Sequence, residues 1–597
     1  MNRPGTTTSF QRGAISVVTP LLLLLIVILS VLALDGARLF ALRSDMQAQV
    51  NVAAQAGASA TQSCGGLAPS VSTVRQRALA AARAQGFTGE DADLLVQVGV
   101  IEDADDDGVL AFDAVNFIEE SNAVLVSLTR SEPISLLLPQ STFGSLDLTV
   151  NAAARKEVVA TISAAGGLAS VGGDGTLLGG LLGAVLGQPG FALDPTSLSS
   201  LENATVRLGD LLTDLGVNQV VDLLPLDADQ LASALGDVAG LAGPVADLLD
   251  DIAAAPGIET IQIGDVIDVV ENASVPDDSE FPIYDLVISL VLNIAEQQQA
   301  GSDGVIALPV NISSLSIPLV ANIEAVDLSL HVGEPPTVKI GPARQDKDGH
   351  WRTRFYAPDI TLQLTAEAEL LPINLGPLLE FSLAELDVPL AVNAGGGGGA
   401  LVAADCASGS GNSVELTVEV EREVARIVTG SLDSDGSLIA APLDANVGRL
   451  RLLGLPALNG ILHLNAEVDG TVPGVTETVT MDPRYNLYCD PVDGCDEIGY
   501  SDEGDGVSGL DLDIVINEAS LLETSLGSLN LNLLLNPIVD LVEGLLETVV
   551  ESLGEALINP LLRTLGVGLG SISVNVSAAS QDSVQLIENI AVVGAEE

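Results

Sequence analysis

The residues able to do chemistry are few and scattered. Only three histidines occur, His331, His350 and His463. No HExxH or other paired-ligand spacing joins them, so the expectation is structural histidines rather than a catalytic or zinc site. No G-x-S-x-G elbow, phosphate-binding loop or dinucleotide fingerprint occurs. No catalytic residue and no cofactor are therefore expected. Carboxylates are the better ligands. Asp103, Asp105 and Asp107, followed by Gly108, match the first half of an EF-hand loop. The twelfth position is Ala114, where that loop needs a bidentate Glu, so the full calcium loop fails. Asp346-x-Asp348-Gly349 and Asp433-x-Asp435-Gly436 repeat the theme. Turns that Asp builds with its own backbone account for all three without a metal, and Asp103, Asp105 and Asp107 stand as the calcium candidates beside that reading. Four cysteines fit an oxidising compartment. Cys489 and Cys495 bracket the turn-forming DPVDG and are the expected disulfide, which leaves Cys64 and Cys406 as a second pair.

Composition narrows the partners. The 597 residues carry 81 acids against 22 Lys and Arg, a net charge of −59. Phosphate backbones and anionic lipid need clustered cations, so nucleic acid is excluded as a partner of the body. Charge for solubility in a salty medium explains the excess. Hydrophobic residues make up 47%, too many for a disordered chain, while aromatics are only 3%. Cores must be built from Leu, Val, Ile and Ala.

One segment sets the location. Ala14–Leu34 has 21 residues and no charge. As a helix it reaches ~31 Å, the thickness of a bilayer core. Pro20 is expected within its first two turns, where the helix penalty is lowest. Arg3 and Arg12 precede the run with no acid, whereas Asp35, Arg38, Arg43 and Asp45 cancel beyond it. The positive-inside bias then places 1–13 as a cytoplasmic tail and everything after the 14–34 span outside. A cleaved signal peptide is the competing reading, but the run is long and no A-x-A site follows closely. A prepilin signal would carry Glu at the fifth residue after Gly13, and Val18 stands there. The helix is expected to continue past the span. Leu39, Leu42, Met46, Val50, Ala53, Gly57 and Ala60 recur at three- and four-residue spacing, one apolar stripe for packing.

The rest reads as α+β. A short helix at Val74–Ala84 and strands at Leu94–Val100, Val124–Leu128 and Leu146–Val150 complete a helix-on-sheet module over 35–156. Residues 157–300 are Leu- and Gly-rich and expected to be mostly helical, on faces such as Leu208, Leu211, Leu212 and Leu231, Leu235, Leu248, Leu249. Residues 301–520 alternate, as in Val326–Leu328–Leu330–Val332 and Val414–Leu416–Val418–Val420, which indicates antiparallel sheet. The glycine run Gly395–Gly399 is expected to be a flexible loop. In 521–597, Asn536–Thr564 forms one or two amphipathic helices, with a break expected at Pro560.

Gln11–Ala60 resembles the N-terminal module of TadE/TadG-like proteins. The shared pattern is an Arg-Gly before an apolar run, then Asp-Gly-Arg-Leu-type residues, then an Arg and a Gln-rich helix. Here these are Arg12, Gly13, Asp35, Gly36, Arg38, Leu39, Arg43 and Gln47. Spacing departs from the family at Asp35-Gly36-Ala37-Arg38. Leu168–Gly187, Asn203–Val217 and Asn559–Val574 resemble the C-terminal region of long TadG-like proteins. The D-x-S-x-S motif of the von Willebrand A domain found in some of them does not occur. The resemblance implies a bacterial inner-membrane protein of Flp (tight-adherence) pilus assembly. It would be non-enzymatic, with a pilin-like first module and a periplasmic or extracellular body. Its partners would be pilin-like and pilus-assembly proteins. Two other classes compete. An anchored binding protein or adhesin would expose its Leu faces to an apolar or surface ligand. An extracytoplasmic enzyme would need a polar cluster in a cleft.

Overall fold

The computed structural model describes residues 12–61, 70–101, 110–116, 118, 121–135, 144–164, 176–188, 191, 201, 204–238, 243–270, 273, 275, 279–300, 304–308, 315–317, 321–346, 348–370, 373–374, 379–383, 385–405, 414–452, 459–481, 489–490, 494–495, 498–501, 507, 511–524, 527–530, 536–565, 567–581, 584–587 and 590–592. The protein is α+β, with antiparallel sheets and one long N-terminal helix. It divides into two compact units. The first comprises 1–157, 407–411 and 583–597, and the second 158–406 and 412–582.

The first unit begins with α1, Arg12–Ala58, a single helix of 47 residues. Pro20 is its ninth residue, so it lies in the third turn rather than the first two. The stretch from Leu21 to Leu34 is exposed, Leu21 at 63% and Leu34 at 65%. From Met46 onward one face of the same helix is core. The unit continues with α2, Val71–Ala84, whose N-cap Ser70 accepts the N–H of Thr73. Four strands follow: β1 Leu94–Ile101, β2 Ala111–Ala114, β3 Ala123–Pro133 and β4 Ser145–Arg155. They form the centre of a six-stranded sheet in the order β4-β3-β1-β2. The two outer positions are taken by Gln585–Ile587 beside β4 and Ala591–Val592 beside β2.

That sheet has a core on each face. Met46, Val50, Ala53, Ala54 and Ala58 of α1 meet Val74, Ala78 and Ala82 of α2 over Val96, Val124, Val126 and Ala152. Ile101, Phe112, Leu125 and Ala153 pack with Ile587 and Ile590 on the other face. Small side chains let the layers approach closely. At Gly57 a Cβ would stand 3.1 Å from Val124 Cγ1, tighter than an unstrained contact.

The second unit opens with β5, Val158–Ser163. Short helices follow, and their Leu faces turn inward: Leu208, Leu211, Leu231, Leu235, Leu248 and Leu249 are all buried. Helix α3, Ile283–Gln299, is buried on nearly every side, including Asp285, Ser289 and Asn293. Hydrogen bonds reach each of these polar residues. Ser163 Oγ donates to Asp285, and Asn293 Nδ2 donates to Ser289 O at 2.8 Å. A 13-stranded sheet then carries β6 Ala321–Glu334, β7 Asp359–Leu370 and β8 Glu385–Asn393 side by side. Alternation is faithful in β6, where Val326, Leu328, Leu330 and Val332 are buried between more exposed neighbours.

The glycine run departs from expectation. Gly397–Gly399 opens a strand, β9 Gly397–Asp405, which pairs with Arg354–Ala357 on one side and β10, Glu415–Arg422, on the other. Neighbouring backbones leave no room for side chains there. A Cβ at Gly398 would lie 2.5 Å from Phe355 O, and one at Gly399 would lie 2.4 Å from Glu419 O. Glycine serves close approach here rather than flexibility. Strand β11, Ala425–Leu432, continues the large sheet, followed by β12, Gly460–Val472, and β13, Asp511–Thr524. Asn536–Leu553 is helical, and the irregularity expected at Pro560 begins earlier, as a π-turn at Gly554–Ile558. Pro560 lies in the first turn of the next helix, Asn559–Thr564, where its missing N–H is harmless. Its ring conflicts with a regular carbonyl four residues back, at Ala556, inside the π-turn. Finally β14, Ser571–Gln581, pairs antiparallel with β5, with Val158 opposite Gln581.

Candidate functional site

The apolar run of α1 ends at Leu34, and the next turn is built differently. Asp35 is only 7% exposed, although Leu34 before it and Gly36 after it face outward. Arg38 reaches from the helix to the far end of β3. Its Nη1 donates to Glu132 Oε2 at 3.2 Å, and its Nη2 donates to the carbonyl of Pro133. Glu132 also takes Arg130 Nε at 2.8 Å, so one half-buried carboxylate lies between two guanidiniums. Two turns further on, Gln47 Nε2 donates to Asn151 O of β4 at 2.9 Å and to Asn51 Oδ1 at 2.8 Å. Polar side chains therefore tie the helix to the sheet at two heights, and the stripe from Met46 to Ala58 packs between and beyond them.

The arrangement holds the helix against the sheet and orients it. Arg38 and Gln47 both bridge α1 to the sheet. Asp35, one turn before Arg38, is buried. Gly36 has open space around its missing Cβ, so sterics alone do not require glycine there. Arg12 and Gly13 lie in the first turn of α1. Leu42 packs partly buried against the core cluster, whereas Phe40 is 76% exposed.

The expected ligand residues are dispersed. Asp103, Asp105 and Asp107 lie outside the described residues, as do Cys64 and Cys406. Cys489 and Cys495 are register partners across a two-stranded ribbon, Cys489–Asp490 with Gly494–Cys495. The histidines are apart. His331 Nδ1 is 2.6 Å from Gly304 O, and His463 Nε2 is 3.2 Å from Asp444 Oδ1. Burial raises the carboxyl of Asp359 near His331 above the ordinary range, with His331 working against that shift. Asp346, Asp348 and His350 are the one set among the described residues whose ligand atoms gather within 4.8 Å. Asp346 Oδ1 already accepts the N–H groups of His350 and Asp348, both at 2.9 Å. Those bonds, the His350 one first, hold its carboxyl below the usual range. A tight Asx turn thus accounts for the cluster.

Sequence reasoning missed one part of this region. The C-terminal residues complete the first unit's sheet, and Arg155 marks the join. It is 1% exposed, and it donates to Ile101 O and to Gln585 Oε1, each at 3.1 Å. The one local hint was an arginine directly after Ala152–Ala154, because a charge drawn into such a core needs fixed acceptors. Comparisons with protein-family models, with curated proteins and with solved structures find no match.

Proposed function

We propose that the chain is a non-enzymatic, single-pass anchored protein of Flp (tight-adherence) pilus assembly, with residues 1–13 cytoplasmic and the body periplasmic or extracellular. The observation that carries this reading is the continuity of α1. One helix is apolar and exposed where it is long enough to cross a membrane, and becomes the core of a helix-on-sheet unit directly beyond. A helix of that kind is a stalk: it fixes the outer unit to the bilayer without a flexible joint. The TadE/TadG-like pattern supplies the pilus role, and two of its residues, Arg38 and Gln47, are the ones that brace the stalk. Pilin-like and assembly proteins are the proposed partners. Cys489 and Cys495 are proposed to be linked in the oxidising compartment, and peptide mass spectrometry without reduction would detect the bond.

The reading of an anchored protein that holds an apolar ligand draws less support. It calls for open Leu faces in the helical region, and Leu208, Leu211, Leu231, Leu235, Leu248 and Leu249 are buried. Topology is the direct test. A reporter active only outside the cytoplasm, fused after Ala60, is expected to be active. Activity of a cytoplasm-only reporter at that point would reverse the orientation. Normal piliation in a strain lacking the gene would remove the pilus role and leave the anchor.

A further inference from the structure

The first unit is discontinuous in sequence: residues 158–406 and 412–582, which belong to the other unit, separate β4 from the C-terminal segment. That segment is built into the sheet on both sides. Gln585, Leu586 and Ile587 stand opposite Arg155, Ala154 and Ala153 of β4, antiparallel. Val584 and Leu586 add to the cluster beneath α1 and α2, while Ile587 and Ile590 add to the opposite cluster with Phe112 and Leu125. Ala591 and Val592 then pair parallel with Ala111 and Phe112 of β2. A single nine-residue stretch, 584–592, thereby closes both edges of the sheet. Without it, β4 and β2 would each present unpaired backbone N–H and C=O groups and an apolar trough.

We propose that this groove is a strand-exchange site whose partner is the C-terminal segment of a second copy of the chain. Three features of the segment favour exchange. Its ladders are short, three positions on β4 and two on β2, so no long zipper has to open. Its anchors are specific, since Ile587 and Ile590 enter an apolar trough and Gln585 meets the buried Arg155 guanidinium at 3.1 Å. Every copy carries the same segment and the same groove, so a strand donated by a neighbour makes the same contacts as the chain's own. The choice between the two is then set by local concentration, which a membrane anchor raises for neighbouring copies. One-way donation joins copies in a row, and reciprocal donation closes a pair. The proposal stands apart from the pilus role.

An affinity-tagged chain ending at Asp582 offers the groove empty. In detergent it is expected to retain an untagged full-length copy, and a synthetic peptide of residues 583–597 is expected to compete. Ile587→Asp with Ile590→Asp in the full-length copy should lower retention at least tenfold. Hydrogen exchange in β6–β8 reports that the second unit of the truncated chain is folded, and exchange in β1–β4 should slow when the peptide is added. No retention by a truncated chain with β6–β8 protected, or retention indifferent to peptide and to the Asp pair, overturns the proposal. A second measurement needs no truncation. Two full-length populations with different tags are expected to yield co-purifying mixed species after incubation, and fewer with the Asp pair. Absence of mixed species likewise overturns it.

Discussion

The two halves of α1 share one backbone conformation and differ in everything around it. Between Leu21 and Leu34 the side chains are mostly large and aliphatic, and nearly all are exposed. Between Met46 and Ala58 one face is made of small residues, Ala53, Ala54, Gly57 and Ala58, pressed against α2 and the sheet. Exposed aliphatics on all sides suit a hydrocarbon solvent, where helices need no partner to bury them. Small residues on one face suit protein, where close approach brings dispersion contacts. The difference teaches that a single helix can carry two solvents in its side chains alone, with the change made in the few residues around Asp35 and Arg38.

Substitution at Val50 should separate the halves most sharply. Val50→Asp puts an unpaired charge at a fully buried position, and such changes cost about 3–5 kcal/mol. The outer unit is expected to become protease-sensitive while the protein stays in the membrane fraction. Limited proteolysis of isolated membranes checks it, and a resistant outer unit would mean that the second half of α1 is not core.

The joint should be less sensitive. Arg38→Met removes a charge-assisted bond to Glu132 and another to the Pro133 carbonyl, but leaves Glu132 with Arg130. Part of the pair is exposed, so the expected loss is about 1–2 kcal/mol. Denaturant titration of the outer unit would read it. A loss as large as that at Val50 would shift the weight of the stalk from packing to the ion pair.

A smaller effect comes from Lys156, at the end of the first unit. Burial, and then the nearby Arg77 charge, hold its ammonium below the ordinary lysine range. The folded state therefore releases this proton more readily than the unfolded one. Stability should rise with pH from the lowered value up to the ordinary lysine range, and fall again as pH drops through it. Lys156→Gln is expected to flatten that slope in thermal melts of the outer unit between neutral pH and about pH 10. An unchanged slope would assign it to other groups.

Much of this was legible along the chain. The stripe of α1 and the alternation in β6 were readable because each depends on spacing within a dozen residues. Gly397–Gly399 misled, because the need for glycine comes from Phe355 and Glu419, neighbours that composition does not reveal. Pro20 lies a turn deeper than the apolar run predicts, because the helix starts no later than Arg12, before that run. Pro560 sits within helix because a π-turn absorbs its conflict upstream. The C-terminal strand was illegible for a different reason. Arg155 and Gln585 are 430 positions apart, and a three-residue pairing over that distance leaves no local periodicity.

The central claim is that α1 is a stalk, membrane-exposed in its first half and core in its second. Hydrogen exchange of the full chain in a lipid nanodisc tests it most directly. The amides of residues 46–58 are expected to exchange only when β3 and β4 do, through opening of the whole outer unit. Exchange of residues 46–58 much faster than β3, at the pace of an isolated helix, would contradict the account.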